Sequence, residues 1–267
     1  MLEDKRCNFF EIFMDFTVII PARYGSSRLP SKVLSDISGK TMLQRVWEQA
    51  AKSNARRIII ATDDERVASE AREFGGEVRM TRIDHQSGSD RINEITVQLL
   101  LEDAEVIVNV QGDEPLIPPE IINQVAYNLN ENPVAGVATL CVPIVEIDDF
   151  LNPNVVKVVV DDRGFALLFS RAPIPWPRDS GFFKDKSSHQ DLIEGFRHIG
   201  LYAYRVGTLR RFVNQPQSDL EKIERLEQLR FMSQGVKIHV ETACCDVPPS
   251  IDTKEDLLNI NEFFRNL

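Results

Sequence analysis

The sequence contains neither of the two common glycine-rich phosphate-binding motifs. None of its 267 residues falls in a segment of the form G-x-G-x-x-G or G-x-x-x-x-G-K-S/T. The first motif brings the backbone of a Rossmann dehydrogenase close to a dinucleotide, and the second forms the phosphate loop of P-loop NTPases. Their absence argues against an NAD-dependent oxidoreductase and against a P-loop ATPase or GTPase.

Cysteine, long apolar segments and net positive charge are also scarce. The four cysteines, Cys7, Cys141, Cys244 and Cys245, have no metal-type spacing, and an adjacent pair cannot easily form a disulfide with itself. This pattern favours a reducing, cytoplasmic compartment. No apolar run approaches the ~18 residues of a membrane span. Because the formal net charge is −10, we expect neither nucleic acid nor an anionic membrane as a partner.

The composition is that of a globular protein, with 43% hydrophobic and 27% charged residues. This length suits one large α/β domain, or one domain with an arm. Residues 1–13 are too acidic and too interrupted for the apolar core of a signal peptide. We therefore expect residues 1–13 to be a dispensable extension and residues 14–267 to be a single domain.

Strand-like and helix-like segments alternate along the first half of the chain. β-branched runs without polar alternation are typical of central strands in a parallel sheet, and the segments between them have helical periodicity. The predicted strands are 17–20, 57–61, 77–80 and 105–110, and the predicted helices are 41–53, 65–74 and 118–130. Such crossover units predict an α/β fold with a doubly wound, mainly parallel, Rossmann-like sheet.

The second half predicts an antiparallel addition to this sheet. Segments 155–160 and 165–170 are strand-like and flank a turn, so they are typical of a hairpin. We expect an arm at about 155–205, with a polar loop at 180–194. Farther on, residues 220–232 predict one amphipathic helix, and Asp252 is placed to cap the last helix.

A cationic loop follows the first predicted strand. Pro21 ends that strand, and Arg23, Arg28 and Lys32 follow among glycine and serine residues that bend the backbone and expose amide donors. A solvated basic turn would have the same composition. However, ligands of open α/β sheets bind beyond the carboxyl ends of the strands, so the position favours a polyphosphate site.

Three further groups of polar residues are candidates for a site. Asp113 follows Gly112 at the tip of a predicted central strand, where Mg²⁺ is commonly held by one or two carboxylates and substrate oxygens. A simple Asp-Glu-Pro turn is the alternative. Ser87 and the residues after it precede a helix and suit either an anion or a plain capping loop. His198 and Tyr202 are an even number of positions apart in a strand, so they share a face.

Six motifs in order resemble one family. They are VIIPARYGSSRLPSK at 18–32, DHQSGSDR at 84–91, VNVQGDEP at 108–115, FSRAPIPW at 169–176, RHIGLY at 197–202 and LEQLR at 226–230. Together they resemble the 3-deoxy-manno-octulosonate (Kdo) cytidylyltransferases, over roughly residue 14 to the end. Six motifs in the family's order make chance agreement implausible.

The resemblance implies transfer of CMP from CTP to Kdo, for lipopolysaccharide synthesis, with Mg²⁺ as cofactor and a homodimer as the assembly. It implies catalytic roles for Arg23, Lys32 and Asp113, and Mg²⁺ ligands at Asp113 and Asp252. The implied nucleotide-binding residues are Pro21, Ala22, Arg23, Arg28, Lys32, Ser87 and Gly88. The implied Kdo-binding residues are Gln111, Arg171, His198, Tyr202, Glu227 and Gln228.

Two departures from the family pattern and two alternatives accompany this interpretation. Ser89 stands where the family often has threonine, which keeps the hydroxyl, and Ser250 stands where the family often has glycine, which weakens the assignment of Asp252. Another sugar-acid cytidylyltransferase, such as a CMP-sialic acid synthetase, is one alternative. A regulatory module that binds CTP without turnover is the other.

Overall fold

The computed structural model describes residues 15–25, 31–178 and 195–265. Within these ranges one large sheet is flanked by helices. The proposed extension 1–13 and the polar loop 180–194 lie outside the described residues, so both expectations stay predictions.

The described strands and helices follow the predicted alternation. The strands are β1 (Phe16–Pro21), β2 (Asp36–Ile37), β3 (Lys40–Thr41), β4 (Arg57–Thr62), β5 (Glu77–Met80), β6 (Val106–Asn109), β7 (Val137–Pro143), β8 (Lys157–Val160), β9 (Ala166–Ser170), β10 (Phe196–Arg205) and β11 (Ile238–Thr242). The helices are α1 (Met42–Ala50), α2 (Glu65–Glu73), α3 (Gly88–Gln98), α4 (Pro119–Glu131), α5 (Ile147–Leu151), α6 (Val206–Val213), α7 (Asp219–Glu224), α8 (Gln228–Ser233) and α9 (Lys254–Arg265). A short 3₁₀ helix spans Lys32–Leu34.

The main sheet has the order β11-β7-β10-β6-β1-β4-β5. The pairs β1–β4, β1–β6, β4–β5 and β7–β11 are parallel, whereas β10 runs antiparallel to both β6 and β7. The hairpin of β8 and β9 adds to the sheet through an antiparallel pairing of β8 with β10. The structure confirms the α/β fold class, with a mainly parallel sheet and an antiparallel addition.

Helices cover both faces of the sheet. In β1 the alternate residues Val18 and Ile20 pack in one buried cluster, with residues of α1, α2 and α4. The intervening Ile19 packs in a second cluster, with residues of α3, α6 and α8. Both faces of β1 are therefore buried, which explains why its sequence does not alternate between apolar and polar residues.

β10 contains a bulge beside the site described below. Ile199 pairs with Leu140 and Tyr202 pairs with Thr139, so Gly200 and one further residue are additional on the β10 side. Because two residues are inserted, the side-chain alternation is preserved across the bulge.

Two expectations about the C-terminal third were wrong. Segment 220–232 is not one helix, because Arg225 adopts a left-handed conformation, with φ of 54°, between α7 and α8. Asp252 is not the cap of the last helix. The Thr253 hydroxyl accepts from the backbone N–H of Asp256, whose carboxylate accepts from the N–H of Thr253. This reciprocal pair is a capping box, and it leaves the Asp252 carboxylate for other contacts.

Candidate active site

A first cavity of about 260 Å³ lies beyond the carboxyl ends of β1 and β6. Strand ends at this edge of an open α/β sheet are the usual place for a ligand. The residues that line it are Pro21, Arg23, Lys32, Val33, His85, Gln86, Ser87, Gly88, Arg91, Gln111, Gly112, Asp113 and Asp252. The structure therefore brings Arg23 and Lys32 of the cationic loop and the two predicted metal ligands to one cavity.

Lys32 lies between the two acids. Its Nζ atom is 2.8 Å from Oδ2 of Asp113 and 2.9 Å from Oδ1 of Asp252. The Lys32 side chain is 9% exposed, whereas those of Asp113 and Asp252 are 33% and 38% exposed. Both carboxylates thus face one cationic point and remain accessible from the cavity.

Local backbone contacts explain how acids from distant segments meet. A Cβ atom at Gly112 would lie 3.3 Å from the Pro21 carbonyl oxygen, so glycine lets the chain after β6 pass close to the end of β1. The Ile251 N–H donates to the Asp113 carbonyl oxygen at 3.0 Å. The buried Ile251 side chain packs with α9 and its neighbours, which fixes Asp252 beside Asp113.

The first turn of α3 forms another wall of the first cavity. Ser87 caps the helix in a capping box with Asp90. The buried Arg91 binds Asp63 at 2.7 Å and donates to Thr81, which ties α3 to the ends of β4 and β5. A helix N-terminus of this kind presents backbone N–H groups and a positive dipole end to a bound anion.

A second cavity, of about 460 Å³, adjoins the first. Four residues line both cavities: Gly88, Gln111, Asp113 and Asp252. The remaining lining residues are Ser89, Asn109, Glu114, Val156, His198, Gly200, Tyr202, Tyr204, Leu226, Glu227, Gln228, Phe231 and Ser250. The acids that flank Lys32 therefore stand at the border between two adjoining spaces.

His198 is held as a neutral ring on the floor of the second cavity. Burial lowers its pKa to about 3. Its Nε2 atom lies 3.0 Å from the Thr139 hydroxyl, which is within 2.9 Å of the carbonyl oxygens of Ile199 and Leu201. Since carbonyls only accept, the single hydroxyl hydrogen is directed to these two carbonyls, and the hydroxyl oxygen accepts from Nε2–H, which leaves Nδ1 as an acceptor. The Tyr202 ring is 5.3 Å away.

Two carboxyl groups in the second cavity have raised pKa values. Burial, with the nearby charge of Asp113, raises the pKa of Glu114 to about 8. Burial also raises the pKa of Glu227, and this is opposed by the hydroxyl of Ser89, which donates to its Oε1 atom. The cavity is therefore a partly desolvated place for acidic groups.

Arg171 does not line either cavity. Its Nε atom donates to the Glu224 carbonyl at 2.6 Å, and Nη1 donates to the Pro153 carbonyl at 2.9 Å. The Glu224 carboxylate in turn accepts from the Arg171 backbone N–H and from the Ser170 hydroxyl. The guanidinium here supports the main chain at Glu224 and Pro153, and the expected role of Arg171 in binding the sugar acid stays a prediction.

The other predicted residues divide in a similar way. Gln111, His198, Tyr202, Glu227 and Gln228 line the second cavity, and Pro21, Ser87 and Gly88 line the first. Ala22 is fully buried and lines neither, and its N–H donates to the Ala61 carbonyl. Arg28 lies outside the described residues.

Sequence reasoning missed several cavity residues. Tyr204 is two positions from Tyr202, so strand parity could have placed it on the same face. Asn109 is the only polar residue in the apolar strand β6, and its buried Oδ1 atom has no hydrogen-bond partner in the described structure. His85, whose Nε2 atom lies 2.5 Å from Oε2 of Glu94, was not indicated by any local sequence pattern of its own.

The residues present fit a divalent cation that also binds a ligand. Among the described residues no group of three or more His, Cys, Asp or Glu side chains could hold a metal ion by itself. The carboxylates of Asp113 and Asp252 both contact the Lys32 ammonium, so they are close enough to share one cation, and they line a cavity with room for further oxygen ligands. A hard cation such as Mg²⁺ is commonly bound by one or two carboxylates and completes its shell with phosphate and water oxygens.

Comparisons with known proteins agree with this geometry. The family model described as cytidylyltransferase matches residues 17–238. The 3-deoxy-manno-octulosonate cytidylyltransferase of Cellvibrio japonicus is 54% identical over 92% of this chain and 97% of its own length. The protein of that name from Coxiella burnetii (strain RSA 493 / Nine Mile phase I) is 50% identical over 94% of this chain and 100% of its own.

Solved structures give the same result. CMP:2-keto-3-deoxy-manno-octonic acid synthetase complexed with CTP superposes with a TM-score of 0.84 at 39% identity, over 95% of this chain and 99% of that one. A 4-diphosphocytidyl-2C-methyl-D-erythritol synthase, with a TM-score of 0.59 at 13% identity, shares the fold. The protein is a nucleotidyltransferase that belongs to the cytidylyltransferase family and, within it, to the 3-deoxy-manno-octulosonate cytidylyltransferases.

Proposed function

We propose that the protein transfers CMP from CTP to the anomeric hydroxyl of Kdo and releases pyrophosphate. One observation carries the proposal: the two adjoining cavities share Asp113 and Asp252 at their border. A nucleotide in the first cavity and a sugar acid in the second would meet at these carboxylates. Transfer between two bound substrates depends chiefly on such positioning.

The first cavity supplies cations and amide donors for a triphosphate. Arg23 and Lys32 line it, and the first turn of α3 presents Ser87 and Gly88 to it. We assign Arg28, whose sequence position is in the same loop, to the triphosphate as well. Fixed positive groups stabilise the charge that develops on the phosphoryl oxygens during transfer.

The reaction needs no covalent intermediate on the protein. The anomeric oxygen of Kdo attacks the α-phosphorus in line, so a new oxygen–phosphorus bond forms as the bond to the bridging oxygen of pyrophosphate breaks. The hydroxyl proton passes to solvent. Mg²⁺ held by Asp113 and Asp252, when bound, would neutralise phosphate charge and acidify the attacking hydroxyl. Lys32 orients both carboxylates and offers its ammonium to the phosphates.

The second cavity suits a polyhydroxy acid. Gln111, Tyr202 and Gln228 offer donors and acceptors for hydroxyl groups, and Glu227 offers an acceptor. His198 adds Nδ1 as a neutral acceptor, because its Nε2–H is directed to Thr139. These side chains can together bind several hydroxyl groups of one substrate.

We assign the sugar carboxylate to Arg171, which the substrate would have to reach from the second cavity because Arg171 lines neither cavity in this structure. Two of its donor atoms are held by main-chain carbonyls, and Nη2 donates to none of the described residues. The side chain is thus fixed by two hydrogen bonds while one nitrogen is left for a ligand. A guanidinium binds a carboxylate more specifically than an ammonium does.

The proposal extends to assembly and cellular setting. β9 pairs only with β8 among the described strands, and Leu167 on it is 61% exposed. We propose that this hairpin contributes to a homodimer. Leu167→Lys should then lower the mass that light scattering measures.

The cysteine pattern supports a location in the cytoplasm. The product CMP-Kdo would be used in lipopolysaccharide synthesis. No helix in the described parts of the chain is long and apolar enough to cross a membrane.

The deciding experiment is a pyrophosphate-release assay of the purified protein. CTP, Mg²⁺ and Kdo should together release pyrophosphate, and omission of any one should abolish the signal. Replacement of CTP by UTP, or of Kdo by N-acetylneuraminic acid, should lower kcat/KM by at least an order of magnitude. A higher kcat/KM with the sialic acid than with Kdo would indicate a CMP-sialic acid synthetase. Binding of CTP without pyrophosphate release would indicate a regulatory module.

A further inference from the structure

Ser89 lies in the first turn of α3, where the wall of the first cavity continues into the second cavity. It is the second residue of α3 and is 4% exposed. Ser87 lines the first cavity, Gly88 lines both, and Ser89 lines the second. The Ser89 hydroxyl donates to Oε1 of Glu227, which lies 138 positions later in the chain, immediately before α8.

The geometry leaves one oxygen of Glu227 for a ligand. Oε1 is taken by Ser89, while Oε2 accepts no hydrogen bond from a residue that the structure describes. Glu227 itself lines the second cavity. A serine hydroxyl has one hydrogen to give, so a lasting hydrogen bond from Ser89 requires an acceptor, and an ionised carboxylate is the stronger acceptor.

We propose that Ser89 is a positioning residue for the sugar-acid site, whose hydroxyl holds the Glu227 carboxylate ionised and directs Oε2 to a hydroxyl of the substrate. The inference rests on the proposed function for the identity of that substrate. It assigns Ser89 no contact with the reacting atoms, because the hydroxyl acts through Glu227.

The electrostatic surroundings make this hydrogen bond consequential. Burial is the largest influence on Glu227 and raises its pKa, while the Ser89 hydrogen bond and the charge of Arg230 lower it. Without the Ser89 hydroxyl, only the charge of Arg230 would oppose the effect of burial on the Glu227 pKa, so the pKa would rise and more of the Glu227 carboxyl groups would be protonated. The other charged or titratable groups that act on or face Glu227 are Asp90 on α3, Glu221 on α7, and Tyr202 and Tyr204 on β10.

Other hydroxyls of the same turn cannot take this role. The Ser87 hydroxyl accepts from the Asp90 N–H and donates to the Asp90 carboxylate, which completes the helix cap. The cap therefore stays intact when Ser89 is changed. Alanine at Ser89 also preserves helix propensity. Besides the contact with Glu227, the substitution removes the interaction of the Ser89 hydroxyl with Tyr204.

The test compares Ser89→Ala with Ser89→Thr, which keeps the hydroxyl. We expect Ser89→Ala to raise the KM for Kdo by roughly tenfold or more at pH 7, the effect of one hydrogen bond to a charged group. The KM for CTP should change less than twofold. Because a group with a raised pKa ionises at higher pH, the KM for Kdo of Ser89→Ala should fall toward the wild-type value as the pH rises above 7. Ser89→Thr should follow the wild type at every pH.

A second measurement is independent of catalysis. The pKa of Glu227 can be followed by ¹³C NMR of the labelled carboxyl carbon, assigned with Glu227→Gln. It should be higher in Ser89→Ala than in the wild type and intermediate in Ser89→Cys, because a thiol is a weak donor. Ser89→Cys also serves if Ser89→Ala folds poorly.

The outcomes separate the inference from the proposed function. Equal KM values for Kdo in the Ala and Thr variants, or an unchanged pKa of Glu227, would overturn the role of Ser89 while CMP transfer by the wild type still stood. If the wild type does not use Kdo, the proposed function fails, and the NMR comparison still decides whether Ser89 controls the ionisation of Glu227.

Discussion

The Lys32 ammonium lies 2.8 Å from the Asp113 carboxylate, although the two residues are 81 positions apart. They meet because β1 and β6 are parallel neighbours, so the segments after both strands leave the sheet at the same edge. Lys32 of the cationic loop and Asp113 of the acidic turn thereby contact each other at one cavity. Polyphosphate and a divalent cation would meet in that cavity.

Asp113→Asn should abolish most of the turnover. The amide keeps the shape but loses the charge that faces Lys32 and the proposed Mg²⁺, so kcat should fall about 100-fold or more. Steady-state pyrophosphate release at saturating Mg²⁺ measures it. Asp246→Asn, at an exposed position, is the control and should leave kcat unchanged. Near-normal turnover of Asp113→Asn would remove Asp113 from the metal site.

Arg171→Lys should act selectively on the sugar acid. A lysine ammonium is a single nitrogen, so it cannot reproduce the two-nitrogen contact with the Glu224 and Pro153 carbonyls together with the planar donor edge that binds a carboxylate. We expect the KM for Kdo to rise about tenfold and the KM for CTP to change less than twofold. Arg163→Lys, at an exposed position in the hairpin turn, is the matched control. A parallel rise in both KM values would contradict the assignment.

His198 should make stability depend on pH in a defined window. Its folded pKa of about 3 is below the unfolded value near 6.5, so protons bind preferentially to the unfolded chain. Stability is unaffected above about pH 6.5 and is lost as the pH falls toward 3, on the order of 2 kcal/mol by pH 5. Urea unfolding at pH 7 and pH 5 should show a smaller loss for His198→Gln than for the wild type. The same loss in both proteins would show that His198 stays accessible to protons.

Lys157→Met should destabilise the fold. The buried Lys157 ammonium donates to the main-chain carbonyls of Asn152, Val155 and Arg171, at 2.8, 2.6 and 2.7 Å. Methionine fills the space but leaves the three carbonyls without their donor, which should cost about 3 kcal/mol. Lys222→Met, on an exposed ion pair, should cost under about 0.5 kcal/mol. Denaturant unfolding of both variants provides the comparison, and equal stabilities would disprove a structural role for Lys157.

The alternating half of the fold could be predicted from sequence because its signals are local. Continuous β-branched runs and helical periodicity placed β1, β4, β5 and β6 within a residue or two. α6 was missed, since Val206–Val213 follows β10 directly with no glycine or proline between them. The break between α7 and α8 was also missed, because Arg225 adopts its left-handed conformation without a glycine or asparagine to announce it.

The candidate site was predictable where a residue follows a strand or shares its parity. Asp113 and Lys32 satisfy the first condition, and His198 and Tyr202 satisfy the second. The Ser89–Glu227 contact joins α3 to the residue that precedes α8, 138 positions later in the chain, and no local pattern encodes it. Asp252 shows the opposite case. Its local pattern indicated a helix cap, and a tertiary contact with Lys32 took its place.

The bulge in β10 leaves open space at the boundary of the second cavity. Gly200 lines the second cavity, and a Cβ atom there would have no heavy atom within 4 Å, so a methyl group can be added at this boundary without a clash. Under the proposed function, substitutions at Gly200 would change the space for the acceptor, while the first cavity, which Gly200 does not line, would stay unchanged.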